Sequence, residues 1–188
     1  MATVIVVNGM PGVGKTTLLK RLSHDLGIGY IAKDSIKELL GNTLFVPSED
    51  IDSYYYGDAS VSALYAVVAS FLPSEKILFV ENAFWHDLAT ERFQELSKTH
   101  ESLFLQIYVT CDYMETRRRF EQRVGKGERH FIHPDTVHDS HDEESSKIKY
   151  RALEIEGMKT FMMDTTESSE DSYQMLVQWI KQETGGTT

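Results

Sequence analysis

A lone cysteine, Cys111, is the only one in these 188 residues, so the sequence excludes an intrachain disulfide. Long hydrophobic runs are also missing. The longest, residues 61–72, is too short to cross a bilayer and follows an acidic, tyrosine-rich stretch. The first residues carry neither the basic patch nor the small-residue cleavage site of a secretory leader. Together these absences predict a cytoplasmic protein with no membrane partner. Basic residues are scarce too: 19 Lys and Arg stand against 29 Asp and Glu, for a net charge of −10. Such a chain repels a polyanion unless its cations are gathered in one place. The balance therefore counts against nucleic acid as a partner, and says little about a single nucleotide.

Apolar residues are plentiful enough to bury a core, and the length fits one domain over residues 1–188 with a small insert. Residues 3–8 (TVIVVN) form a β-branched apolar run that stops at a glycine, the pattern of a buried parallel strand. Leu18, Leu19, Leu22 and Leu26 then recur at helical spacing, and Gly27 ends that helix. Further strands are expected at 30–32, 77–80, 103–110 and 159–163. Helices are expected at 35–40, at 49–72 with a break near Gly57, around Ala89, Phe93 and Leu96, from the N-cap Asp112 to about Val124, around Ile148, Ala152 and Ile155, and around Tyr173 to Ile180. Strands alternating with helices predict an α/β three-layer α/β/α sandwich with a parallel sheet.

Gly9-Met10-Pro11-Gly12-Val13-Gly14-Lys15-Thr16 satisfies G-x-x-x-x-G-K-[ST] between the first strand and the first helix. Glycines let the backbone turn its N–H groups around phosphates, and the helix N-terminus favours an anion. Lys15 is the expected partner of the β- and γ-phosphates, and the Thr16 hydroxyl a Mg²⁺ ligand; Thr17 follows in the first helical turn. The motif thus predicts ATP and Mg²⁺ as cofactors.

Asp34 follows the second strand. C-terminal strand ends of a parallel sheet face the ligand crevice, so this carboxylate can take the proton of an acceptor hydroxyl. The competing reading is an N-cap of the 35–40 helix. Lys37, one turn on, can hold an anionic acceptor or the reacting phosphate. Glu81 ends the third strand and can hold a Mg²⁺-bound water or orient the acceptor. Arg119 and Arg123 share one helix face, within a run that also contains Arg117 and Arg118. His130, His133, His138 and His141 suggest a metal, but the region has no cysteine and no standard zinc spacing, so a solvated or substrate-touching lid is the preferred reading. Tyr54, Tyr55, Tyr56 and Trp85 are candidates for an acceptor wall.

Beyond the P-loop, Ala32-Lys33-Asp34-Ser35-Ile36-Lys37, Val80-Glu81-Asn82-Ala83-Phe84, Cys111-Asp112, Arg119, Arg123 and Gly127-Glu128-Arg129-His130 make the chain resemble a group of small P-loop kinases. These are the kinases of the polynucleotide 5′-kinase, zeta-toxin and chloramphenicol phosphotransferase kind, with an AAA-type ATP-binding domain. The resemblance implies a five-stranded parallel sheet in the order 2-3-1-4-5 and an arginine-bearing lid at about 117–144. It implies Asp34 as general base, Arg119 and Arg123 as catalytic arginines, Arg129 as a substrate contact, and the loop Asp164-Thr165-Thr166 as the neighbour of the nucleotide base. The lid departs from the group's usual Arg-His-Pro-Gly-His, reading Arg129-His130-Phe131-Ile132-His133-Pro134.

The expected function is ATP-dependent phosphoryl transfer to a hydroxyl of a small molecule. The alternatives are a polynucleotide 5′-hydroxyl kinase, which needs a basic channel leading to Asp34, and a non-catalytic ATP-binding regulator.

Overall fold

Alternation along one strand organises the centre of the molecule. The computed structural model describes residues 1–44, 53–127, 130–133, 143–167 and 169–186. In β1 (Ala2–Asn8) every residue is buried. Val4 and Val6 face one side of the sheet, Ile5 and Val7 the other, as the two-residue period of a strand requires. On the Ile5 side lie α1 (Lys15–Leu26) and α7 (Glu170–Glu183), whose Leu19, Leu22, Tyr173, Leu176 and Ile180 close that core. On the Val4 side lie α3 (Ser53–Phe71) and α4 (His86–Thr99). There Phe93 packs edge-on against Phe84 and Tyr65, with ring centroids 5.2 and 5.3 Å away.

The remaining strands are β2 (Tyr30–Ala32), β3 (Ile77–Glu81), β4 (Ser102–Thr110) and β5 (Lys159–Asp164). All pair in parallel, in the order β2-β3-β1-β4-β5. The fold class and strand order therefore match the expectation. Register matters most at the C-terminal edge. Val7 pairs with Glu81, and Glu81 pairs with Ala32, so the first turn after β1, the acid that ends β3 and the start of α2 (Lys33–Leu44) stand level.

Three helix boundaries depart from the sequence expectation. α2 runs from Lys33 to Leu44 rather than 35–40, which puts Asp34 inside its first turn instead of at its cap. α3 continues through Gly57 without a break, because Ser60, Leu64 and Val68 form a buried seam whose packing outweighs the ~1 kcal/mol helix cost of one glycine. The helix expected around Ile148, Ala152 and Ile155 ends early: α6 is Glu143–Lys149, and residues 151–155 are not helical. Three buried side chains from the sheet and its rim take three successive carbonyls of that stretch. Asn8 Nδ2 donates to Arg151 O (3.3 Å), the His86 imidazole bonds Ala152 O (2.7 Å), and Gln106 Nε2 donates to Leu153 O (3.2 Å). The Gln106 carbonyl also accepts from Leu153 N at 2.8 Å. Carbonyls held this way are satisfied without helical bonds. α5 (Tyr113–Gly125) starts where expected, with the Asp112 carboxylate accepting from Glu115 N.

Candidate active site

Between β1 and α1 the backbone folds around a space for an anion. Gly9 (φ 141°) and Gly12 (φ 89°) occupy conformations that L side chains rarely adopt. Both are also pressed against the protein. A methyl group on Gly9 would meet the Val109 carbonyl oxygen at 2.2 Å, and one on Gly12 the Thr116 methyl at 2.9 Å. Lys15 is buried, and its ammonium donates to Gly9 O and Met10 O, each at 2.9 Å. Burial lowers its pKa, and Arg123 and Lys33 add to that, against the opposing charges of Glu81 and Asp34. A phosphate arriving here can take over the ammonium from those two carbonyls.

Three groups gather beside Lys15. Thr16 Oγ1 donates to Glu81 Oε2 at 3.2 Å. Burial and the nearby Asp34 charge push the Glu81 carboxyl above its ordinary value, although Lys15 and the Thr16 hydrogen bond oppose the shift. A hydroxyl and a carboxylate of this kind are the oxygen donors a hard cation takes, so the pair fits Mg²⁺. Asp34 keeps 60% of its side chain exposed and holds a 2.9 Å ion pair with Lys33. The atoms packed around its carboxyl push its pKa up, but Lys33, His133 and Lys15 together bring it below the ordinary aspartate value. It is thus an ionised, reachable carboxylate at the rim of the P-loop.

Two arginines of α5 stand over the P-loop. A methyl group on Gly14 would lie 3.6 Å from Arg119 Nη1, and one on Gly12 would lie 3.9 Å from Arg123 Nη2. Arg119 is fastened on both sides, to Glu115 Oε1 (2.7 Å) and to Thr165 O (2.7 Å). Hydrogen bonds from Arg118 and Arg119 hold the Glu115 carboxyl down at about 2. Arg117 and Arg118 pair with Glu121 and Glu115 on the exposed side of the helix.

The chain matches the AAA domain family over residues 5–147. It belongs to that family. No curated protein matches the chain by sequence. A crystal structure of a candidate kinase from Chloroflexus aurantiacus is similar to this AAA domain protein with a TM-score of 0.82 and 27% identity, covering 96% of this chain and 97% of that one. APS kinase from Mycobacterium tuberculosis, in complex with AMPPNP and APS, superposes with a TM-score of 0.59 at 15% identity, over 96% and 98% of the two chains. A gluconokinase from Sinorhizobium meliloti gives 0.52 at 14% identity, over 99% and 98%. The last two likenesses show the fold alone. The AAA domain chain is a kinase-like P-loop protein, and none of its helices, among the described residues, is long and apolar enough to cross a membrane.

Other expected residues fall in several places. Lys37 is buried, and its ammonium donates to Ser53 Oγ at 2.7 Å. Arg129, Glu128, Pro134, His138 and His141 lie outside the described residues. His130 and His133 bond Asn42 and Glu38 of α2. Tyr54, Tyr55 and Trp85 are exposed, and the Lys149 ammonium sits 3.8 Å above the Trp85 ring. Thr165 is buried, with its hydroxyl donating to Val13 O (2.6 Å), so it braces the P-loop from β5. Sequence reasoning did not single out Lys33, Glu115 or the bracing role of Thr165. The i, i+4 spacing of Glu115 and Arg119 carries a local signal for the second of these. Nothing in the sequence pairs Thr165 with Val13, 152 residues away.

Proposed function

We propose that this protein is an ATP-dependent phosphotransferase that moves the γ-phosphate to a hydroxyl of a small molecule, with Asp34 as general base. The observation that carries the reading is an ionised, open carboxylate placed by register at the edge of a P-loop. A bare nucleotide-binding site has no use for that group, whereas hydroxyl phosphorylation requires it.

The roles follow from position. The backbone N–H groups of the P-loop between Gly9 and Thr17, Pro11 having none, and the Lys15 ammonium hold the β- and γ-phosphates. Thr16 and Glu81 would hold Mg²⁺, which would neutralise phosphate oxygens when bound. Asp34 accepts the acceptor's hydroxyl proton as its oxygen bonds the γ-phosphorus and the bond to the β-phosphate oxygen breaks, releasing ADP. Arg123 and Arg119 stand where negative charge develops on the transferred group. Lys37 contributes positive charge on the acceptor side.

Asp34→Asn keeps the shape of the side chain and removes the base. With ADP release measured over nucleosides, sugars and aminoglycoside-like acceptors, turnover should fall by roughly 10²–10⁴-fold. ATP affinity by calorimetry should be nearly unchanged. Near-normal turnover in Asp34→Asn sinks the assignment.

A further inference from the structure

One face of α2 carries Asp34, Lys37, Glu38, Gly41 and Asn42, which recur at the three- and four-residue steps that stack side chains along a helix. Residues 130–133 lie along that face. Ile132, from a polar and histidine-rich stretch of sequence, is 1% exposed. It is seated on Gly41: a methyl group there would meet Ile132 Cβ and Cγ1 at 3.2 Å and Cδ1 at 3.3 Å. A glycine inside a helix costs about 0.5–1 kcal/mol relative to alanine, and here it makes room for an isoleucine.

Polar contacts flank that seat. His133 Nε2 is 3.0 Å from Glu38 Oε1, and His130 Nε2 is 3.0 Å from Asn42 Oδ1. Ile132 N donates to His130 Nδ1 at 3.3 Å, which makes Nδ1 an acceptor and leaves the proton on Nε2 for Asn42. From the other side, Lys37 Nζ donates to Ser53 Oγ (2.7 Å), which donates to Ile132 O (3.0 Å), tying α2, α3 and this segment together.

We propose that residues 130–133 form a latch on the Asp34 face of α2, in which Ile132 seats on Gly41 and His133 is a positioning residue for Asp34. The inference rests on the reading of Asp34 as the base. Seated, the latch puts the half-buried His133 ring among Asp34, Lys37 and Glu38, with His130 beside it at 6.4 Å between ring centroids. Burial lowers the His133 pKa and Lys37 adds to it, while Asp34 and Glu38 pull the other way without overcoming the shift. A charged imidazolium at His133 must be buried, which works against the seat. The sign follows. A histidine whose folded pKa is depressed binds its proton better when released, so the latch loosens as pH falls below the ordinary imidazole value, about 6.5.

The test is an NMR titration of the His133 Cε1–H signal in the full chain, with a parallel turnover assay. Asp34→Asn should move the His133 midpoint to lower pH, because it removes a charge that favours the imidazolium. Glu38→Gln should do the same without altering any packing. Ile132→Ala should raise the midpoint toward an ordinary histidine and abolish its response to Asp34→Asn. In turnover, Ile132→Ala and His133→Asn should lower kcat several-fold and leave the KM for ATP unchanged. A His133 signal indifferent to both Asp34→Asn and Glu38→Gln overturns the latch. So does a response to Asp34→Asn that persists in the Ile132→Ala background. Normal turnover in Asp34→Asn instead overturns the base assignment, and the titration then still shows whether the contact exists.

Discussion

Around Lys15 the candidate site is made of backbone: glycines at positive φ, main-chain carbonyls and a helix N-terminus, all braced by Val109, Thr116 and Thr165. Around Asp34 it is made of side chains, with Lys33, Lys37, Glu38, His133 and Ser53 meeting on one face of α2. The first half is specified by a contiguous octapeptide and leaves little room for change. The second is assembled from dispersed residues, with Glu38 and His133 meeting from 95 positions apart. APS kinase and the gluconokinase share the fold, and one fold hosts many functions through changes in the site built on it.

If that contrast holds, damage should sort by half. The largest effect expected on the backbone half is Lys15→Ala, which should weaken nucleotide binding and lower turnover together, the latter by roughly 10²–10³-fold. Calorimetry with ATP and an ADP-release assay check both, and an unchanged profile breaks the contrast at its strongest point. Asp34→Asn should leave binding alone, so the pair of variants forms a direct comparison.

Gly9→Ala comes next. The new methyl would collide with Val109 O and the φ of 141° would be strained, so urea denaturation should show a loss on the order of 1–3 kcal/mol, with nucleotide binding lost in parallel. No single alanine on the acceptor side should couple stability and ATP affinity in that way.

The smallest effect concerns charge. Glu81 has its pKa raised, so the folded state holds its proton more tightly than the unfolded chain does. Stability then falls as pH rises from the ordinary glutamate value through the raised one. Asp34 has the opposite sign: its contribution is present above the ordinary aspartate value and is lost as pH falls through the lowered one. Glu81→Gln should therefore raise stability at pH 7 by urea denaturation, while Mg²⁺-dependent ATP binding weakens. Loss of stability in that variant would mean that the carboxylate is held more by Lys15 and Thr16 than it is penalised by burial.

Legibility in the sequence follows the same division. The P-loop, the strand–helix alternation and the Asp112 cap are local patterns with fixed spacing, and each stands where the sequence puts it. The end of α6 could not be read locally, because the reason lies in Asn8, His86 and Gln106, none of them near residue 151 in the chain. The sequence ends the second helix at residue 40, whereas α2 runs on through Gly41, where Ile132 is seated. The arginines were separated from their neighbours Arg117 and Arg118 only by resemblance. In the structure, direction over the P-loop separates them.

The triple hold on residues 151–153 has a consequence for how such a protein can diversify. Three side chains rooted at Asn8, His86 and Gln106 fix the return of the chain to the sheet ahead of β5. A change of length within α6 then ends at that anchor, and the register of β5 against β4 keeps its place.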